Sequence, residues 1–196
     1  NKSSHWKKYL PNNSNYLEPF QSLGFGAFTK NTLKTYIYNI LARFLFKNKV
    51  FKTKTYYAYK NIFDEIERYI DVDTIRHIFT FEKLKKHLNP KTICIIGDGK
   101  LNGVLGAHLT FPSAKIFSVN LSEVLINDYI ILNKTNTRMK KSVELVDDIN
   151  FLTNDKILTL VPSNFKKFLL NKNIELFINI ASFQEMNEIE INNYFE

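Results

Sequence analysis

Apolar positions follow two rhythms along this chain, and the change falls near residue 90. Before it, apolar residues recur every three or four positions. Leu33, Ile37, Ile40, Leu41 and Phe44 predict a helix over 29–47, and Tyr59, Ile62, Phe63, Ile66 and Ile70 predict a second over 57–70. Asp73 is placed to cap a short helix through Phe79, and Thr80 to cap another over 81–88. After Asn89-Pro90 the apolar residues run together. Thr92-Ile93-Cys94-Ile95-Ile96 suits a strand buried on both faces, and similar runs lie at 115–119, 157–161 and 176–180. Helical spacing separates them, at 104–109, 122–133, 165–170 and 186–195.

Strands alternating with helices predict an α/β fold, a doubly wound, Rossmann-like sheet of about four parallel strands. The predicted division is a helical region over 1–90, irregular over 1–27, and a sheet domain over 91–196. Ligands of such sheets bind at the carboxyl ends of the strands, where the strand order reverses. The chain begins at Asn1 and ends in a helical pattern with no stop signal. Both ends read as cut, and the expectation is a partial sheet whose last strand is an open edge.

Composition narrows the classes. With 44% hydrophobic residues among 196, the chain can bury a core, which excludes disorder. Only 6 Gly and 5 Pro exclude collagenous sequence, and the lone Cys94 excludes a disulfide framework. No apolar run approaches the roughly 20 residues of a membrane span, and no secretory signal is visible. The expected setting is cytoplasmic. The net charge of +8 is uneven: residues 1–90 carry 16 basic and 7 acidic side chains, and residues 91–196 carry 11 and 12. Lysines number 23 and arginines 4, so the residue best suited to bidentate reading of bases is scarce and nucleic acid is disfavoured as a partner. Between 30 and 60 basic residues occur without an acid, interleaved with Phe44, Phe46, Phe51, Tyr56, Tyr57 and Tyr59. That stretch reads either as a solvated face or as a surface for an anionic glycan, a nucleotide-linked sugar or a membrane.

Three segments hold candidate chemistry. The first predicted strand runs into Gly97-Asp98-Gly99, with Gly103 opening a helix. Glycines there permit positive φ and close approach of a ligand to backbone N–H groups. The spacing Gly-x-Gly-x-x-x-Gly is neither the dinucleotide fingerprint nor a phosphate loop. The second strand ends at Asn120, where a ribose-binding acid often stands. The fourth ends in Asn179-Ile180-Ala181-Ser182-Phe183-Gln184-Glu185-Met186, which reads as a polar ligand edge or as a capping box from Ser182 to Glu185. His5, His77, His87 and His108 lack metal-ligand spacing, and Cys94 reads as core.

Ile96-Gly97-Asp98-Gly99, Asn120-Leu121-Ser122-Glu123 and Phe177 through Met186 together resemble a bacterial family of sugar O-methyltransferases, within the class I S-adenosylmethionine-dependent methyltransferases. The resemblance spans about residues 80–196. It implies S-adenosylmethionine as cofactor and a saccharide or nucleotide-sugar as substrate. It sets Gly97, Asp98 and Gly99 against the methionine part, with Gly103 and Leu121 in the cofactor-facing set. Asn120 would reach the ribose, and Val161 and Ser163 would neighbour the adenine. Ser182, Gln184 and Glu185 would face the methyl group and the acceptor. Glu185 is the candidate base and His108 its alternative. The chain departs from the family pattern at Ile95, where an acid is usual, at Leu101, where a third glycine is usual, and at Asn120. The rival expectations are an NAD-dependent nucleotide-sugar enzyme, a non-catalytic protein that keeps the fold, and a nucleic-acid methyltransferase recruited by residues 30–60.

Overall fold

The structure is a computed structural model that describes residues 33–46, 49–146 and 156–195. The irregular segment expected over 1–27, and the first turn of the helix expected from residue 29, lie outside the described residues. Five strands, β1 (Thr92–Ile96), β2 (Lys115–Asn120), β3 (Val143–Leu145), β4 (Leu158–Pro162) and β5 (Leu176–Asn179), form one sheet in the order β3-β4-β2-β1-β5. All four pairings are parallel, with Cys94 opposite Phe117 and Phe177, and Val119 opposite Val161. The sheet and its helices are those of an α/β, Rossmann-like fold. One strand is more than expected. Val143-Glu144-Leu145 is too short, and too polar at its centre, to show as an apolar run. It pairs with β4, and Glu144 accepts a hydrogen bond from the Thr159 hydroxyl at 2.9 Å.

Among the described residues six α-helices accompany the sheet: α1 (Leu33–Leu45), α2 (Lys54–Glu65), α3 (Val72–Leu84), α4 (Asn102–Thr110), α5 (Ser122–Lys134) and α6 (Glu188–Asn192). Caps explain where expected boundaries moved. Thr53 accepts from the Tyr56 N–H at 3.1 Å, so α2 starts before Tyr57. Asp71, not Asp73, caps α3, accepting from the Thr74 N–H at 2.8 Å. Thr80 does not start a new helix. Its hydroxyl bonds back to the Arg76 carbonyl at 3.0 Å, and α3 continues through it. The helix expected over 165–170 is a 3₁₀ run, Ser163–Asn171.

Period-two alternation divides β1 between two cores. Ile93 and Ile95 join the larger cluster, with Tyr59, Phe63, Ile75, Ile78 and Phe81 from the helices before residue 90 and Leu105, Ile116 and Leu132 after it. Cys94 and Ile96 face the other side, with Phe117, Val119, Val161 and Phe168. Burial pushes the Cys94 thiol up to about 12, as befits a core residue. The docking of α4 on α2 and α3 is close. A Cβ on Gly106 would stand 2.2 Å from the Phe81 ring and 2.6 Å from the Tyr59 hydroxyl, which donates to the Asn102 carbonyl. The apolar spacing of α1 buries less than its pattern suggests, for Ala42 is buried while Phe44 is 86% exposed. β5 lies at a sheet edge, with Phe177 exposed. Among the described residues no helix is long and apolar enough to cross a membrane.

Candidate functional site at the strand-order reversal

Chain order reverses beside β1: β2 lies on one side of it and β5 on the other. The segments leaving the carboxyl ends of these three strands meet there. Gly97 follows β1 with φ +75°, a backbone geometry that favours glycine, and its N–H bonds to the Val119 carbonyl of β2 at 2.8 Å. Asn120, at the end of β2, donates to the Asp98 carbonyl at 3.0 Å and accepts from the Leu121 N–H at 2.9 Å. From β5, Asn179 and the Ser182 hydroxyl each donate to the Ile96 carbonyl at 3.1 Å. The residues singled out at 96–99, 120 and 179–182 are thus brought together, across as many as 86 residues of sequence.

Several side chains do not stand as a ligand-facing role requires. Asp98 is buried, and its carboxylate is taken up by the start of α4. Its carboxylate accepts from the Val104 N–H at 2.8 Å and is also stabilised by the Gly103 N–H. Burial raises its pKa, against the lowering effect of His77 and those two N–H groups. Asp98 therefore serves as the missing cap of α4, whose formal N-cap residue, Leu101, has no capping side chain. Gly103 is needed for that approach, since a Cβ there would lie 3.0 Å from Ile95 and 3.2 Å from the Asp98 carboxylate. Leu101 adopts φ 61°, the conformation a glycine would take most easily, with its side chain fully buried.

Ser182 does not form a capping box. Ala181, at φ 72°, precedes the 3₁₀ turn Ser182–Glu185, and the Ser182 hydroxyl faces β1 and Asn179 instead. It sits in the space a side chain on Gly97 would fill: a Cβ at Gly97 would lie 2.1 Å from its oxygen. Asn187 caps the following helix, accepting from the Glu190 N–H at 2.8 Å. Gln184 is exposed, and the side chain of Glu185 lies outside the described residues. Val161 is wholly buried beside Val119, Leu121 is half-buried before α5, and Ser163 is half-buried at the start of its 3₁₀ run. The N–H of half-buried Gly99 has no partner among the described residues. His108 lies six residues along α4 from Asn102, about 9 Å. Burial and Arg138 lower its pKa, and it is remote from the reversal.

No protein-family model, curated protein or solved structure matches the chain.

Behind the glycine loop lies a buried polar cluster that sequence reasoning missed. Arg68, on the turn after α2, donates to the Lys100 carbonyl at 2.6 Å and to the Asn102 side chain at 2.8 Å. Asn102 donates in turn to Asp73 at 2.9 Å, and Asp73 pairs with Arg76. Lys100 stands 3.8 Å from Asp71, and burial lowers its pKa. At the back of the cluster is Asp128 of α5, fully buried, whose carboxylate oxygens make no well-formed hydrogen bond among the described residues. Burial and the nearby Asp98 hold its pKa well above the carboxylate range, against weaker lowering from Arg68 and the Leu101 backbone. The one sequence signal was the scarcity of arginine, which makes Arg68 conspicuous. Among the described residues no group of three His, Cys, Asp or Glu is arranged to hold a metal.

Proposed function

We propose that the chain is the cofactor-binding fold of an S-adenosylmethionine-dependent O-methyltransferase acting on a sugar or glycan hydroxyl. The observation that supports this reading is the convergence at the reversal of β1 and β5: Asp98 is tied to Asn120, and Ile96 to Asn179 and Ser182. Three segments that resemble the family only as separate strings lie around one point, where α/β sheets bind their ligands.

The fit to the cofactor is through backbone. The Gly99 N–H, unpartnered among the described residues, would meet the methionine carboxylate, which would approach over Gly97 by displacing Ser182 or passing beside it. Asn120 retains one N–H and a lone pair for a ribose hydroxyl. Val161 and Ser163 would flank the adenine. Asp98 contributes by fixing the loop rather than by charge. The cofactor supplies an electrophilic methyl on a sulfonium. The chain's task is to hold an acceptor oxygen in line with it and to take the hydroxyl proton, with Glu185 as base and Gln184 beside it.

A second reading, a protein that keeps the fold without the cofactor, is favoured by Ser182 seated over Gly97 and by the inward turn of Asp98. Thermal unfolding with S-adenosylhomocysteine, and separately with NAD, tests both. At a hundredfold the dissociation constant, a bound ligand stabilises by about 2.7 kcal/mol. A shift with S-adenosylhomocysteine alone is the expected result. A shift with NAD alone transfers the site to the nucleotide-sugar rival, and no shift with either supports the second reading.

A further inference from the structure

A cleft of about 210 Å³ opens on the helical side of the molecule, lined by residues of α1, α2 and the turn that follows α2. It lies within and beside the basic, aromatic stretch that the sheet does not explain. Its charged lining is Arg43, Lys60, Asp64 and Arg68, so two of the chain's four arginines meet there. Lys60 and Asp64 neutralise each other at 2.6 Å. No carboxylate among the described residues pairs with Arg43, whose guanidinium lies over the Phe51 ring, 4.6 Å from its centroid. The lining carries a net charge of +2.

The apolar wall is aromatic. Phe51 and Tyr56 meet edge to face at 5.3 Å. Tyr69 closes the far side and accepts from the Asn39 side chain at 2.5 Å. The Tyr56 hydroxyl has no hydrogen-bond partner among the described residues. Burial raises its pKa, while Arg43 and Lys60, which line the cleft with it, act to lower it.

We propose that this cleft binds a small organic phosphate, with Arg43 and the Tyr56 hydroxyl on the phosphate and a sugar-sized body against the aromatic wall. Guanidinium and phenol are both donors, and an Arg and a Tyr hydroxyl that lack partners among the described residues are together suited to an oxyanion. A phosphate monoester carries close to two negative charges near neutrality, and Arg43 is a lining cation with no carboxylate partner among the described residues to offset it. The volume is below the roughly 300–1,000 Å³ of drug-sized sites, so a monosaccharide phosphate fits the scale better than a dinucleotide. Arg68 lines the cleft on one side and holds Lys100 and Asn102 at the start of α4 on the other. The inference goes beyond the methyltransferase reading and stands whether or not S-adenosylmethionine binds.

Calorimetric titration of the whole chain with glucose 1-phosphate and ribose 5-phosphate tests it, with glucose and inorganic phosphate as controls. At least one sugar phosphate is expected to bind at least tenfold more tightly than either control. Arg43→Gln and Tyr56→Phe, both checked for unchanged thermal unfolding, are each expected to weaken it, Arg43→Gln by about tenfold. Lys167→Gln removes the same charge from an exposed residue near the other face of the sheet and is expected to leave binding unchanged. The proposal is overturned if neither sugar phosphate binds at millimolar concentration, or if glucose or inorganic phosphate binds as tightly. It is also overturned if Arg43→Gln has no effect, or if Lys167→Gln has the same effect.

Discussion

Replacing Gly97 by alanine tests whether the strand-order reversal is built as described. Two separate penalties follow from the structure. The first is conformational: at φ +75° an alanine is in the left-handed region, at a cost of about 1–2 kcal/mol. The second is steric: the new Cβ would stand 2.3 Å from the Ser182 Cβ as well as meeting its oxygen, so the 3₁₀ turn has to move. Moving it breaks the Ser182 hydrogen bond to the Ile96 carbonyl and the contact with Asn179, each worth about 1 kcal/mol. Gly97→Ala is therefore expected to destabilise by about 3–4 kcal/mol. Ser182→Gly removes the obstruction and also the hydroxyl, and is expected to destabilise by about 1–2 kcal/mol. In the double variant the steric penalty has nothing left to act on. Its total should fall short of the sum of the singles by about 1–2 kcal/mol. Urea unfolding of the four proteins measures the cycle. Strict additivity would refute the packing of Ser182 on Gly97, and with it the account of why glycine stands there.

Asp128→Asn keeps the shape and removes a buried carboxyl that makes no well-formed hydrogen bond among the described residues. Because the folded pKa is raised, the native state holds its proton after the unfolded chain has lost it, so wild-type stability falls as pH rises above the ordinary carboxylate range. The variant is expected to gain about 1–3 kcal/mol at pH 7 and little at pH 3, and an equal gain at both, read by urea unfolding, counts against the raised pKa. Gly106→Ala improves helix propensity by about 1 kcal/mol, yet its Cβ would press on Phe81 and Tyr59, and a net loss of about 1–3 kcal/mol is expected. A rise in melting temperature would mean that α4 docks less closely than described. Leu101→Gly relieves a left-handed residue but empties a fully buried leucine site, so a melting temperature lower by several degrees is expected, against a rise if backbone strain dominates.

The sheet was legible because four of its strands are largely apolar runs, of which β1, β2 and β4 are buried on both faces and β5 lies at an edge with Phe177 exposed. β3 was not, since three residues around Glu144 resemble any polar loop until β4 is there to pair with them. Helix positions were read well and helix boundaries less well, for boundaries depend on which of two nearby side chains takes a cap. Asp71 took it from Asp73, and Thr80 turned its hydroxyl back to Arg76.

The same competition decides the candidate site. Sequence shows that a polar residue stands at a strand end and leaves open which donors it will find. At Asp98 the nearest are the exposed N–H groups of α4, and a carboxylate buried at a helix start is held there by hydrogen bonds and dipole together. At Ser182 the nearest acceptor is the Ile96 carbonyl, reachable because Gly97 has no side chain. Each residue type that suggested a ligand is also one that the fold can use for itself. A ligand at the reversal consequently has to displace Ser182 or bind beside it. The bond from Ser182 to Ile96 is then part of the free energy of binding, and Ser182→Gly should tighten S-adenosylhomocysteine even as it lowers stability. Opposite signs in the melting temperature and in the affinity of one variant would separate a site closed by its own serine from a fold that has no site.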